Sequence, residues 1–357
     1  MKLKLAILLV ALQAVSAHVL FTTVFVNDVN QGDGTCVRMP MTPSNATDPV
    51  NAIGDVEMAC GNGGSTYVSR TCSVGNGAKL SFLFRTTPNG SAIGSIDPSH
   101  KGPCAVYMKY VQTPTVNADG DSWFKIWDQG YDTTSSQWCT EKLIANNGLI
   151  SVTLPNNLAG GYYFVRTELL ALQNADKTPP DSQFYVGCAQ IFLGPPKTSD
   201  GVIPQETVSI PGYLQPDDPS VNFNVYTPNW PYTMLKVGLV PSNAIVTNAN
   251  WWAVELDSYS TSDGCWNASS LCYNQTTSCY EEAPPTGDEG CRVWEGRCDD
   301  IQAACNASIF NGPPNANKQL SLPDNTKYTI PAAANLTSGQ VYNSQNQHRH
   351  YARFTSS

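Results

Sequence analysis

Between residue 18 and about residue 240 the chain is built from short stretches in which apolar and polar positions alternate. In Lys79-Leu80-Ser81-Phe82-Leu83-Phe84-Arg85, the side chains of Leu80, Phe82 and Phe84 share one face of an extended strand, and Lys79, Ser81 and Arg85 take the other. That period of two is the mark of a half-buried β-strand. Comparable runs occupy residues 105–111, 148–154, 162–172 and 183–193, separated by turn clusters such as Thr87-Pro88-Asn89-Gly90 and Pro155-Asn156-Asn157. The pattern predicts an all-β chain folded as an antiparallel two-sheet sandwich, with function carried on long loops.

The pattern changes after residue 240. Residues 241–252 are small and polar and read as a linker, and residues 253–311 have another character. Cys265, Cys272, Cys279, Cys291, Cys298 and Cys305 form two C-x6-C-x6-C triplets separated by eleven residues. A step of seven is two helical turns with a drift of about 20°, so each triplet lines one helical face. Ala283-Pro284-Pro285-Thr286-Gly287 breaks the pattern, and Asp288 is placed to start a second helix. An antiparallel helical hairpin follows, cross-linked Cys265 to Cys305, Cys272 to Cys298 and Cys279 to Cys291. This nesting is one of fifteen pairings and rests on antiparallel symmetry alone. Residues 312–357, rich in Asn, Pro, Ser and Thr, read as a low-complexity, disordered tail.

Composition sets the compartment and narrows the partners. Residues 1–17 carry Lys2 and Lys4, an apolar run from Leu5 to Val15 and a small-residue Val15-Ser16-Ala17 site, the layout of a secretory signal peptide. Twelve cysteines behind such a leader imply disulfides in an oxidising compartment. Sequons at Asn45, Asn89, Asn267, Asn274, Asn306 and Asn335 agree with a secreted glycoprotein. A net charge of −9 with no visible basic face excludes nucleic acid and favours a neutral partner. No other apolar stretch reaches membrane-spanning length, and the final residues lack the tail of a glycolipid anchor signal, so the expected product is a free extracellular monomer.

Cleavage after Ala17 makes His18 the first mature residue. An N-terminal histidine offers its α-amine and an imidazole nitrogen to one metal ion, and Cu(II) prefers nitrogen donors in a tetragonal plane. Outside the tail the other histidine is His100, in the rigid turn Asp97-Pro98-Ser99-His100-Lys101-Gly102-Pro103. Three nitrogens from two histidines make a T-shaped site with an open equatorial position. Gln183 and Tyr185 share a strand face roughly 6.6 Å apart, with Phe184, Val186 and Cys188 on the opposite one. Tyr185 is suited to be a weak axial neighbour of the metal, and Gln183 to hydrogen-bond whatever fills the open position.

These residues resemble a known family, the fungal copper-dependent lytic polysaccharide monooxygenases of auxiliary activity family nine, once classed as family 61 glycoside hydrolases. The resemblance covers about residues 18–240. It runs through His18, the 97–103 block, Trp123-Phe124-Lys125-Ile126, Tyr162-Tyr163-Phe164-Val165-Arg166-Thr167-Glu168, residues 183–190 and Ile210-Pro211-Gly212-Tyr213. It implies an immunoglobulin-like sandwich presenting one copper ion, bound by His18, His100 and axial Tyr185, to an insoluble β-glucan or xylan-type polysaccharide. An external electron donor and O2 or H2O2 would then drive hydroxylation at C1 or C4. It also implies a Cys60–Cys188 bridge, which by closing so long a loop stabilises by about 4 to 5 kcal/mol in the chain-entropy treatment. Cys104 then pairs with Cys139, leaving Cys36 for Cys72. Tyr213, in the matching late surface loop, is the residue expected to stack on a sugar ring or else simply to pack.

One position departs from the family. Members usually carry a histidine before the Gln-x-Tyr motif, and here that position is Gln173, which hydrogen-bonds but does not titrate near neutral pH. Two rival functions remain open on the sequence: a secreted copper-binding protein without oxygenase turnover, and a hydrolase using two carboxylates such as Asp97 and Glu168. The tail histidines His348 and His350 offer a further pair of metal donors or are solvated residues.

Overall fold

The computed structural model of the chain describes residues 18–50, 52–92, 94–196, 201–228, 230, 232–234, 256–281, 283, 285–316 and 328–334. The signal segment, the 241–252 linker and His348 and His350 lie outside the described residues.

Two sheets face each other. The smaller runs in hydrogen-bonded order Leu149–Thr153, Lys79–Arg85, Leu20–Val26, Val29–Asn30. The larger runs Val208–Ile210, Gly120–Gln129, Cys104–Val111, Gly161–Ala171, Gln183–Leu193, Val37–Arg38. Cys72–Val74 joins Gln183–Leu193 in parallel, and the other ladders of these sheets are antiparallel. Leu80, Phe82 and Phe84 enter the space between the sheets with Val24, Ile126, Val165 and Ile191, as their alternation predicts.

The larger sheet is buried on both faces. Its outer face carries a second apolar cluster, with Tyr107, Trp123, Phe164 and Phe184 roofed by Trp138, from the short strand Gln137–Trp138, and by the loop residue Phe223. The outer face of the smaller sheet is covered in part by the chain's own tail: Tyr328 and Ile330 pack on Phe25, Leu83 and Leu149. There Arg85 Nη2 donates to Tyr328 Oη at 2.8 Å, and Ala334 N to Ser151 O at 2.9 Å. Within the tail expected to be disordered, this segment is docked, because an outward row of apolar side chains on that sheet needs a cover.

Beyond the linker, helices Ser262–Glu281 and Glu289–Asn306 form the expected hairpin. All three rungs are present, Cys265–Cys305, Cys272–Cys298 and Cys279–Cys291. Leu256, Ala268, Trp294 and Ile301 pack around the Cys265–Cys305 and Cys272–Cys298 rungs. The sandwich carries Cys36–Cys72, Cys60–Cys188 and Cys104–Cys139.

Candidate metal centre

Strand register brings the predicted site residues together. Leu169 pairs with Cys104 on one side and with Tyr185 on the other, so the turn ahead of Cys104 and the phenol of Tyr185 meet at one end of the larger sheet. His18 immediately precedes the Leu20–Val26 strand of the facing sheet. Tyr185 thus stands between two imidazoles, its ring centroid 6.2 Å from that of His18 and 5.9 Å from that of His100.

The His100 turn is held at several points. His100 N donates to Asp97 O at 2.9 Å, and Asp97 Oδ1 accepts from Ser99 N at 2.8 Å. Gly102 N donates to Thr140 Oγ1 at 3.0 Å while Thr140 N donates back to Gly102 O at 3.2 Å. The Cys104–Cys139 bridge clamps the same pair of segments. A β-carbon at position 102 would come 1.8 Å from the Leu170 carbonyl oxygen, so only glycine lets the turn lie this close to the strand.

The ring nitrogens are committed in a way that suits a metal. His100 Nδ1 lies 3.1 Å from Ser99 Oγ, which orients the ring and leaves Nε2 as the donor. Burial, reinforced by the nearby His18, lowers the His100 pKa against an opposing pull from Asp97, so the imidazole is kept neutral. His18 Nδ1, the nitrogen that closes a chelate ring with the α-amine, lies 3.0 Å from Asp48 Oδ1. Burial, aided by Asp48, Asp181 and Asp97, pushes the Tyr185 phenol up, so it serves as a neutral oxygen.

A small amide network surrounds the phenol. Gln183 Oε1 accepts from Gln173 Nε2 at 2.7 Å and from Tyr185 Oη at 3.1 Å. Gln173 Oε1 is buried with no hydrogen-bond partner among the described residues. Behind Tyr185, a recess lined by Val19, Asp48, Val50 and Val186 holds about 10 Å³, room for no more than a water.

Two imidazoles and a neutral phenol are a donor set that fits Cu(II), and the orphaned Gln173 oxygen marks a polar place beside them. Among the described residues no cluster of three or more His, Cys, Asp or Glu side chains forms a rival metal site.

Comparison with known proteins decides the family. The model of Auxiliary Activity family 9 (formerly GH61) matches residues 18–233. The chain belongs to this family. AA9 lytic polysaccharide monooxygenase H of Botryotinia fuckeliana is 52% identical over 334 residues, an alignment covering 85% of this chain and 76% of that protein. AA9 lytic polysaccharide monooxygenase C of Aspergillus tamarii is 44% identical, with 85% and 89% covered. Both alignments extend past the end of the family match and into the hairpin. The solved structure of CvAA9A superposes with a TM-score of 0.57 at 31% identity, covering 62% of this chain and 98% of that one. AA9 members are copper-dependent monooxygenases that cleave polysaccharides oxidatively, and this chain is such an enzyme.

In this AA9 enzyme Tyr213 is not brought to the histidines. It lies on the outer face of the larger sheet, where Arg166 Nη2 donates to its hydroxyl at 3.0 Å and the hydroxyl donates to Glu168 Oε2. Its ring meets Tyr107 edge-on at 6.0 Å. A loop motif fixes position along the chain but not which side of a sheet the loop covers. The same network speaks against the hydrolase reading, since Glu168 is paired with Arg166 at 2.7 Å and Asp97 accepts from Ser99 N within its own turn.

Two residues of the site were missed by sequence reasoning. Asp48 sits in a polar loop with no spacing signal. Tyr226, 62% exposed, donates to the Gln173 backbone oxygen at 3.1 Å and so stands open beside the amide network. An aromatic in the Asn- and Pro-rich stretch 222–229 was the available clue.

Proposed function

We propose that the secreted, mature enzyme begins at His18 and would hold one copper ion through the His18 amine and Nδ1 and the His100 imidazole, with the Tyr185 hydroxyl as a further oxygen neighbour. Its substrate is an insoluble β-linked glycan of the cellulose or hemicellulose type, oxidised at C1, C4 or both, with electrons from an external donor and the protein acting as a monomer. The observation that carries this reading is Tyr185 standing between the two histidine rings.

When bound, copper supplies a one-electron centre that activates O2 or H2O2 for removal of a hydrogen atom from the glycan. The chain's own groups do the positioning. Gln183 fixes the Tyr185 hydroxyl and the Gln173 amide through one oxygen, so the phenol cannot rotate away. Gln173 Oε1, buried without a partner beside Tyr185, would accept a hydrogen bond from a water or a substrate hydroxyl brought there. Tyr226 offers an exposed ring for the apolar face of a pyranose unit.

N-terminal sequencing of the secreted protein, copper titration by electron paramagnetic resonance and mass spectrometry of oxidised products test the reading together. The wild-type protein should begin at His18, bind one copper per chain and release aldonic acids or C4-ketoaldoses. His100→Ala should abolish tight binding and product. Residues retained ahead of His18, or firm copper binding by the variant, would overturn it.

A further inference from the structure

The hairpin's six cysteines explain its shape, but one regularity is left over. Each cysteine of the first helix is followed by an aromatic residue: Cys265-Trp266, Cys272-Tyr273, Cys279-Tyr280. Trp266 is 41% exposed and Tyr280 37%, with Tyr273 half-buried between them. Steps of seven residues place the three rings about 10.5 Å apart along the helix. The drift of about 20° per step keeps them on one side of a helix that is cross-linked to its neighbour at every step.

The second helix fixes the rings. Tyr273 Oη donates to Asp299 Oδ1 at 2.6 Å, and Tyr280 Oη donates to Glu295 Oε2 at 2.7 Å. With the hydroxyls tied across the hairpin and the backbone tied by disulfides, little rotamer freedom remains to be lost on binding. Those bonds hold the Tyr273 phenol neutral, its pKa pushed up to about 12 chiefly by Asp299. Tyr273 also packs against the hairpin core of Leu256, Ala268, Trp294 and Ile301, whereas Trp266 and Tyr280 stand exposed on either side of it.

We propose that Trp266, Tyr273 and Tyr280 form a binding strip for a single β-1,4-linked glycan chain, a carbohydrate site separate from the copper centre. Their spacing matches the disaccharide repeat of an extended β-1,4 chain, in which every second ring presents the same face. Aromatic faces pair with the C–H faces of pyranoses. Residues 256–316 carry nine acidic side chains against Arg292 and Arg297, which suits a neutral polymer and opposes nucleic acid or an anionic membrane. Asn267 and Asn274, each in a sequon, lie one residue on from two of the rings and so about 100° round the helix, beside the strip and not on it. The proposal rests on the reading that the substrate is a β-linked glycan, but its test does not need turnover.

The test uses the full secreted protein, stripped of copper, in pull-down titrations on microcrystalline cellulose. A variant combining Trp266→Ala, Tyr273→Ala and Tyr280→Ala should bind about tenfold more weakly or worse. Once reloaded, it should keep the wild-type copper resonance spectrum and its rate of product release from soluble oligosaccharides. Tyr280→Ala alone, at an exposed position near the helix end, should weaken binding several-fold and guards against misfolding of the triple variant. Combined Tyr273→Phe and Tyr280→Phe should retain most of the binding. Unchanged partition of the triple variant onto cellulose would overturn the proposal. So would binding that appears only after enzymatic removal of N-glycans, since the strip would then bed the protein's own sugars. Loss of oxidised product from wild-type protein with the strip's binding intact would instead count against the copper reading.

Discussion

Gln173→His places a titratable group where the family usually has one, and the geometry says what it should do. An imidazole at this position can keep one N–H on Gln183 Oε1, where Gln173 Nε2 now donates at 2.7 Å. Its second nitrogen then occupies the place of Gln173 Oε1, the atom buried without a partner. The Tyr226 contact uses the backbone oxygen of residue 173 and survives the change. The fold should therefore shift by no more than about 1 kcal/mol.

The effect on turnover is larger and has a sign. A positioned general acid is worth about 10² to 10⁴ in rate, and a half-exposed one belongs at the low end, so about tenfold to a hundredfold is expected in acid. The donating form is the protonated imidazole. Burial at this place lowers an imidazole's pKa, as it does for His100, so the protonated fraction, and with it the advantage over wild type, should be greatest in acid and fall steadily as the pH rises. Initial rates of oxidised product release, measured with hydrogen peroxide and a reductant at matched copper loading, read this directly. A rate that is unchanged or lower with copper still bound would refute the reasoning, as would a gain independent of pH.

Three further expectations concern the scaffold. Asp48→Asn removes a carboxylate 3.0 Å from the chelating His18 nitrogen, and at this partly solvated site the loss of about 1 kcal/mol of attraction should weaken Cu(II) binding several-fold. Calorimetric titration that gives equal affinities would show that Asp48 serves only the metal-free state. Arg38→Met strips donors from the carbonyls of Gly64, Pro114 and Val116 beneath the loops, at a cost of about 3 to 5 kcal/mol; a thermal midpoint lowered by less than a few degrees would contradict it. The Cys104–Cys139 and Cys36–Cys72 bridges close loops of separation 35 and 36, so replacing either pair with serine should cost about 4 kcal/mol. Only the first should broaden the copper resonance spectrum, because only it clamps the His100 turn, and identical spectra would argue that Thr140 alone suffices.

Much of this was legible in the residues because it was periodic. A step of two put Tyr185 on one face of its strand and Phe184 and Cys188 on the other, and the fold turns the first inward and the second outward. A step of seven gave the hairpin and its three rungs before any contact was known. What stayed hidden depends on which face of a sheet a loop happens to cover. Tyr213 and Tyr226 both sit in proline-rich loops, yet one closes over Arg166 and Glu168 and the other stands in solvent beside Gln173. The docking of Tyr328 was equally unreadable, because its partners Phe25 and Arg85 lie some three hundred positions and two hundred and forty-three positions away in sequence. The aromatic strip was legible in spacing but was masked by the cysteines it follows.

The outer face of the larger sheet explains how long loops hold a metal site still. It buries cations where apolar side chains would be expected, and those cations bind loop backbone. Arg38, lying over the Phe164 ring at 4.1 Å, donates to Gly64 O at 3.1 Å. Arg166 donates through Nε to Met58 O at 2.9 Å. Between those two carbonyls lies Cys60, bridged to Cys188 on the strand of Tyr185, and Asn62, whose Nδ2 donates to Asp48 O at 2.9 Å. Asp48 in turn meets His18. A buried guanidinium cannot shed its proton and is costly to leave unpaired, so each arginine demands acceptors: loop carbonyls supply them, joined for Arg166 by the Glu168 carboxylate at 2.7 Å. The loop from residue 56 to 64 is thereby fixed to the sheet at three points, and the position of the Asp48 carboxylate follows from it. The placement of Asp48 beside His18 thus rests on two buried arginines of the sheet.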